Sequence, residues 1–165
     1  MTEILDGVTV RVDGNMLVVK GPKGELKRKI VPLVTIKVEG QEVTVSSANP
    51  ALIGTNDAII KNMMNGVKNG YSRKLKLIYA HFPISLEIKG KNIKVKNFLG
   101  EKLNRSAALV GDGTKVEAKG QSVTISGPDK EAVGQTIANL RSAMRIRDKD
   151  GRIFQDGIYD DTSGE

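Results

Sequence analysis

The chain contains no cysteine, no tryptophan, a single histidine, and only three tyrosines and three phenylalanines. The lack of cysteine excludes disulfides, thiolate catalysis and cysteine-bound metal, and it fits a cytoplasmic protein. The few aromatic residues cannot build the stacking platform of a single-strand RNA binder. No apolar run approaches the roughly 20 residues that a membrane span needs. The start, MTEILDGVTV, lacks the basic region and apolar core of a signal peptide. We therefore expect no membrane partner.

Motifs for catalysis are also missing. His81 has no neighbour of catalytic type, which favours a structural histidine. The segment GPKG at 21–24 lacks the spacing of a phosphate loop, and no G-x-G-x-x-G is present. Asp160 and Asp161 form a carboxylate pair, but they lie in a polar terminus. We expect no enzyme activity, no catalytic residue, no cofactor, no metal site and no small-molecule substrate.

Two phrases occur twice along the chain. EGQEVTVSSANP at 39–50 resembles KGQSVTISGPDK at 119–130, and VTVRVDGNMLVVKGPKGEL at 8–26 resembles ISLEIKGKNIKVKNFLGEKL at 84–103. Both halves place strand patterns, glycine turns and a helix pattern in the same order. Such recurrence indicates a tandem duplication. We predict two domains, residues 1–79 and residues 80–165.

Each repeat joins a strand pattern to a helix pattern. Val8, Val10 and Val12 alternate with polar residues, which is typical of a strand with one buried face. Asn49 and Pro50 predict a helix N-cap followed by proline in the first turn, with apolar residues at helical spacing behind them. The predicted fold class is α+β. Each of the two duplicated domains is expected to be a twisted antiparallel β-sheet packed against one α-helix.

The chain is strongly basic, with 26 Lys and Arg against 19 Asp and Glu, a net charge of +7 and a pI near 9.6. Such a charge favours an anionic partner such as nucleic acid, although a basic surface can serve solubility alone. Two clusters in the second repeat are candidate RNA-binding sites. The first surrounds the predicted hairpin turn at Gly90 and the loop after it: Lys89, Lys91, Lys94, Lys96, Lys102 and Arg105. The second extends from the end of the second helix: Arg141, Arg145, Arg147, Lys149 and Arg152.

Both clusters have an alternative explanation. Lysines keep a strand edge soluble, and cations at a helix C-terminus complement its dipole. For the hairpin lysines we keep both interpretations open. For the arginine-rich segment RSAMRIRDKDGR we favour RNA, because arginine suits bidentate contacts with phosphates and base edges. Tyr159 is a further candidate RNA-binding residue, because its hydroxyl can reach RNA while its ring packs against the protein. The expected ligand is folded, largely double-helical RNA, held by phosphates and shape.

Four segments together resemble one family: KGPKGEL at 20–26, YAHFPI at 79–84, NFLGEK at 97–102 and KDGRIFQDGIY at 149–159. They resemble the universal large-subunit ribosomal protein six family, in its archaeal and eukaryotic branch. The resemblance covers nearly the whole chain, in order. It implies a component of the cytoplasmic ribosome that binds large-subunit ribosomal RNA, chiefly through its second domain. It also implies a place near the stalk base and the sarcin–ricin loop.

The implied partners are neighbouring ribosomal proteins of the stalk base and, indirectly, translation GTPases. Two residues depart from the pattern of the family: Ser142 stands where Gln is usual, and Asp160 where an apolar residue is usual. The alternative function is a free-standing RNA-binding or protein-adaptor module with the same duplicated fold.

Overall fold

The computed structural model describes residues 2–161. The chain divides into two compact units. The first unit runs to Tyr71 and includes Pro128–Lys130; the second takes Ser72–Gly127 and the chain from Glu131 onward. The α+β class and the tandem duplication predicted from the sequence are confirmed.

Strands of the first unit form two antiparallel three-stranded sheets, in the orders β2-β3-β4 and β1-β6-β5. The described strands are β1 (Thr2–Glu3), β2 (Thr9–Asp13), β3 (Met16–Gly21), β4 (Gly24–Lys29), β5 (Val34–Glu39) and β6 (Glu42–Ser47). The predicted alternation holds at Val10 in β2 and at Val8 just before it, which are both buried. Val12 departs from it and is 38 % exposed.

Helix α1 (Pro50–Asn69) supplies the other half of this core. It begins as predicted: the side-chain oxygen of Asn49 accepts a hydrogen bond from the Ala51 amide at 3.0 Å, and Pro50 opens the first turn. The apolar stripe of α1 packs against both sheets. Its buried members are Ile60, Met63, Met64 and Val67, which meet Leu17, Val19, Val43 and Val45. The two methionines are therefore core residues.

The second unit repeats this arrangement, with a fourth strand in one of its two sheets. Its sheets have the orders β10-β9-β8 and β11-β12-β7-β13. The strands are β7 (Tyr71–Ile78), β8 (Ser85–Lys89), β9 (Asn92–Lys96), β10 (Arg105–Ala108), β11 (Lys115–Lys119), β12 (Ser122–Gly127) and β13 (Gly157–Asp160). A short 3-10 turn covers Phe98–Gly100. Helix α2 (Lys130–Ala143) buries Val133, Ile137 and Leu140, as its periodicity predicts.

Four hairpin turns show how closely the repeats agree. The glycine of each turn has a positive φ: 58° at Gly14 and Gly90, 61° at Gly40 and 60° at Gly120. Residues with a Cβ adopt this left-handed backbone only at a cost, which explains why glycine occupies both copies of each turn.

Strand β7 explains where the second repeat starts. β1 pairs with β6 in the first unit, and β7 occupies the same position beside β12 in the second. Thus Tyr71–Ile78, which the predicted boundary at 79/80 assigns to the first domain, pairs within the second unit. β1 has only two residues, so the sequence carries almost no sign that a repeat begins with this strand. β13 has no counterpart among the described strands of the first unit and pairs with the free edge of β7.

Candidate nucleic-acid interface

The lysines of the β8–β9 hairpin are largely matched by carboxylates. Ile93 and Val95 point into the core, so the lysines between and beside them reach the outer face. Lys96 and Lys89 both bind Glu87, with Nζ to carboxylate distances of 2.8 and 3.1 Å. Their hydrogen bonds, that of Lys96 first, lower the pKa of the Glu87 carboxyl to about 2. This part of the hairpin therefore carries less net charge than its lysines suggest.

Lys91, at the hairpin turn, has its own partner. Its Nζ lies 2.6 Å from the carboxylate of Asp112, and this hydrogen bond lowers the pKa of Asp112 and raises that of Lys91. Lys94 differs from the others: it is half-buried, and no carboxylate among residues 2–161 lies within 4.0 Å of it. Lys102 is exposed in the following loop and likewise forms no ion pair with the described residues.

Arg105, which is predicted to bind RNA, makes four hydrogen bonds within the protein. Its Nε and Nη2 donate to the two carboxylate oxygens of Glu101, at 2.8 and 2.5 Å. Its Nη1 donates to the carbonyls of Ala143 and Arg145, both at 2.9 Å. The guanidinium also stacks over Phe98, 4.4 Å from the ring centre. Arg105 thereby supplies hydrogen-bond donors to carbonyls that the end of α2 leaves free.

The loop that carries these partners has an unusual backbone. Asn97 and Leu99 have positive φ values of 57° and 52°. Such conformations persist only where the surroundings fix them. Here the Asn97 side chain donates to the Pro83 carbonyl at 3.2 Å, and Phe98 is fully buried. The NFLGEK segment thus places Glu101 within hydrogen-bond distance of Arg105.

The arginine-rich segment follows the end of α2, and its cations fall into two groups. Arg141 pairs with Asp160 at 2.8 Å, and Arg152 pairs with Asp150 at 3.2 Å. The bonds from Arg152 lower the pKa of Asp150. Asp160, one of the two departures from the family pattern, therefore neutralises an arginine of the predicted site. The second group is exposed and has no carboxylate partner among the described residues: Arg145, Arg147 and Lys149.

The C-terminal signature forms one wall of a groove beside this segment. The groove has a volume of about 550 Å³, with residues of α2's end on one side and β13 on the other. Ile158 is 5 % exposed and anchors β13, whose partner is β7. Phe154 and Tyr159 remain 38 % and 46 % exposed. The Tyr159 hydroxyl donates to the Gln155 carbonyl at 3.2 Å.

A larger concavity, of about 680 Å³, lies on the outer face of β2, β3 and β4. It is an open sheet surface whose lining residues include Arg11, Lys20 and the ion pair between Lys27 and Glu25. None of its lining residues is buried, and none of the residues predicted to bind RNA lies in it.

Of the predicted residues, the structure brings Arg141, Arg145 and Tyr159 together around the groove, whereas the hairpin lysines do not line it. Arg105 links the two clusters by its bonds to the end of α2. No sequence pattern indicated Glu87, Glu101 and Asp112 as partners, because each pair depends on how strands and loops fold together. Asp156, a buried carboxylate in the groove, was also missed.

No group of three or more potential metal ligands occurs in residues 2–161. Helices long and apolar enough to cross a membrane are likewise absent from that part of the chain. His81 is exposed.

Comparison with known proteins identifies the family. The chain matches the sequence profile of Ribosomal protein L6 over residues 5–70 and 82–157. It belongs to the ribosomal protein L6 family. The two matched segments correspond to the two repeats of the fold, which confirms the resemblance found in the sequence.

Relatives in archaea resemble the chain over nearly its whole length. "Large ribosomal subunit protein uL6" of Methanocella arvoryzae is 44% identical over 95% of this chain and 92% of its own length. The proteins of the same name from Methanothrix thermoacetophila and Methanosphaera stadtmanae are 44% and 45% identical, over 95% and 96% of this chain and 92% and 91% of their own lengths. The chain therefore falls in the archaeal branch of the L6 family.

Proposed function

We propose that this protein is a structural constituent of the large subunit of the cytoplasmic ribosome and that it binds large-subunit ribosomal RNA. The observation that carries the proposal is membership of the ribosomal protein L6 family along both repeats. The full-length relatives that are named large ribosomal subunit proteins support it. The role is one of assembly and support, and no catalytic step is assigned to the chain.

The second unit provides the RNA-binding surface in this proposal. Five of the cations predicted to bind RNA have no carboxylate partner among the described residues: Lys94, Lys102, Arg145, Arg147 and Lys149. They are free to neutralise phosphates and to release counterions, which supplies much of the affinity for nucleic acid.

The ion-paired cations can also reach RNA, but only by exchanging partners. Lys89, Lys91, Lys96, Arg141 and Arg152 are all exposed to solvent in their ion pairs. A surface ion pair contributes only about 0–1 kcal/mol, so a phosphate can displace the carboxylate at little cost. Arg105 is excluded from this group, because it makes four hydrogen bonds and a ring contact within the protein.

The position that we propose is near the stalk base and the docking region of translation GTPases, with ribosomal proteins of the stalk base as neighbours. This finer statement rests on the family resemblance. The absence of cysteine makes it testable, since a single introduced cysteine gives a unique attachment site for an iron chelate. Ser142 is exposed in α2. An iron chelate attached to the Ser142→Cys variant is expected to cleave large-subunit RNA near the sarcin–ricin loop. Gln41→Cys, exposed in the first unit, is the control for the other repeat.

Assembly tests the function itself. The tagged protein should co-sediment with large subunits in a high-salt sucrose gradient. In competition with the parent, Arg145→Ala combined with Arg147→Ala should be depleted from large subunits. Lys20→Ala with Lys37→Ala removes the same charge from exposed positions of the first unit and serves as the matched control. A protein that stays at the top of the gradient would instead be a free-standing RNA-binding or adaptor module.

A further inference from the structure

The groove beside α2 contains a carboxylate that no protein group satisfies. Asp156 is 7 % exposed, yet its side chain forms no hydrogen bond or ion pair with residues 2–161. No fully buried side-chain oxygen in the described residues lacks a partner, so the carboxylate oxygens must meet the open space of the groove that Asp156 lines. Its oxygens therefore have lone pairs free to accept hydrogen bonds from a ligand that enters the groove.

Two aromatic rings line the same groove. Phe154 and Tyr159 are both partly exposed there, and Lys149 covers Phe154 with its Nζ 4.8 Å from the ring centre. The Tyr159 hydroxyl is occupied by the Gln155 carbonyl, which fixes the orientation of its ring. Rings of this kind stack on bases that have left an RNA helix. Two rings cannot bind a long single strand, but they suffice for one base.

The other charged residues that line the groove are two arginines and Asp160. Arg141 and Arg145 both line the groove; Arg141 is paired with Asp160, and Arg145 has no carboxylate partner among the described residues. The volume of about 550 Å³ lies within the range of small-ligand sites, about 300–1,000 Å³. One groove thus combines an acceptor, stacking surfaces and a guanidinium for a phosphate.

We propose that this groove binds one unpaired guanine nucleotide, extruded from the RNA that the protein recognises. Asp156 accepts hydrogen bonds from the N1–H and the exocyclic amino group of the base. Phe154 and Tyr159 stack on it, and Arg145 binds its phosphate. The inference rests on the proposed function, since it names the RNA element that the second unit would take.

Guanine is favoured because an ionised carboxylate only accepts hydrogen bonds. The pairing edge of guanine offers two adjacent donors, whereas the edges of adenine and cytosine each offer one amino group beside an acceptor. A cationic side chain from a neighbouring protein would also satisfy Asp156. It is disfavoured because Arg145, which has no carboxylate partner among the described residues, repels a cation, and because it would leave the partly exposed Tyr159 ring unused.

The experiment uses the full chain and four RNA hairpins that differ only in a single bulged nucleotide: G, A, C or U. Fluorescence anisotropy at constant salt gives the four dissociation constants. The duplex phosphates contribute the same affinity to all four hairpins, so any difference between the dissociation constants comes from the bulged base. We expect the guanine bulge to bind roughly tenfold more tightly than the others, as for a bidentate contact.

Asp156→Asn is the decisive variant, because it keeps the shape and replaces one acceptor with a donor. It should lose the preference for guanine, because an amide offers one donor and one acceptor and can pair with the edge of any of the four bases. A merely structural role for Asp156 would not abolish a base preference while leaving the affinity for the other three bulges unchanged. If Asp156→Asn fails to fold, as judged by NMR dispersion, Phe154→Leu replaces it and should reduce the guanine preference.

Equal affinity of the parent for all four bulges would overturn the proposal, and so would a guanine preference that persists in Asp156→Asn. Equal affinities, together with failure of Asp156→Asn to enter large subunits, would point to a protein cation in the groove. A chain that enters large subunits without any base preference refutes only the guanine site. A chain that does not enter them refutes the proposed function.

Discussion

Single residues decide how much of the positive charge is available to RNA. The sequence shows a row of lysines, but in the structure Glu87 holds two of them and Asp112 a third. Counting basic residues therefore overestimates the binding surface, because the acids that offset them lie elsewhere in the sequence.

Removal of Glu87 should strengthen binding to RNA. Glu87→Gln leaves Lys89 and Lys96 without their carboxylate, so both can bind phosphates. The log–log dependence of affinity on salt should steepen by up to about 0.9 for each additional phosphate that the protein neutralises. The pKa of Glu87 is about 2, below its ordinary value, so this carboxylate stays charged, and the ion pairs are lost only as the pH falls towards 2.

Glu117→Gln is the control for this charge change, since Glu117 is exposed on β11 of the same unit and has no partner among the described residues. Filter binding or anisotropy across a salt series measures both slopes. An equal increase in the two variants would show that only net charge changed.

Arg105, by contrast, is a basic residue that contacts other groups of the protein, and we infer that its role is structural. We expect Arg105→Lys to lower the free energy of unfolding by about 1–3 kcal/mol, because lysine cannot replace the fork that joins Glu101 to two carbonyls. Lys102→Ala, exposed in the same loop, should change it by less than about 0.5 kcal/mol. Urea denaturation measures the free energy of unfolding of both variants. Equal free energies of unfolding for the two variants would mean that the contacts of Arg105 do not stabilise the fold and that Arg105 is available to bind RNA.

At the scale of elements, the C-terminal strand completes the second unit. β13 pairs with β7 from Gly157↔Ile78 to Asp160↔Leu75 and carries both the apolar anchor Ile158 and the groove residues beside it. Ile158 of the C-terminal signature is buried in the second unit. The pairing with β7 could not be predicted, because it joins residues about 80 positions apart, and a short strand has no periodicity of its own.

Ile158 should therefore be needed for stability in a way that its neighbour Ile153 is not. We expect Ile158→Ala to cost about 2–5 kcal/mol in the free energy of unfolding, from lost burial and the cavity that remains. Ile153→Ala, at a position that is 75 % exposed, should cost less than about 0.5 kcal/mol. Comparable losses would mean that β13 does not anchor the terminus. From its polar, acidic sequence alone, deletion of residues 161–165 is predicted to have little effect. Apart from Asp161, these residues lie outside the described part of the chain.

At the scale of the whole molecule, the duplicated α+β fold could largely be predicted, because both repeats show turn glycines, strand alternation and a helix pattern in the same order. Local rules of this kind need only neighbouring residues. The start of each repeat could not be predicted. β1 is only two residues long, and the pattern of β7 fits the end of the first repeat as well as the start of the second. The charge partners and the Asp156 groove depend on long-range packing, which no local pattern contains.

The place of β7 leads to a prediction about fragments. A chain covering residues 71–165 includes β7 and should fold alone, with dispersed NMR signals and a cooperative thermal transition, because it contains a complete repeat and β13. A chain covering residues 82–165 lacks β7, so β12 loses a neighbour and β13 loses the only described strand that it pairs with. Buried Leu75 and Leu77 are lost with it. We expect the shorter fragment to be molten or to melt at a clearly lower temperature. If the two fragments melt alike, β7 is not part of the second domain, and the boundary at 79/80 predicted from the sequence is the better one.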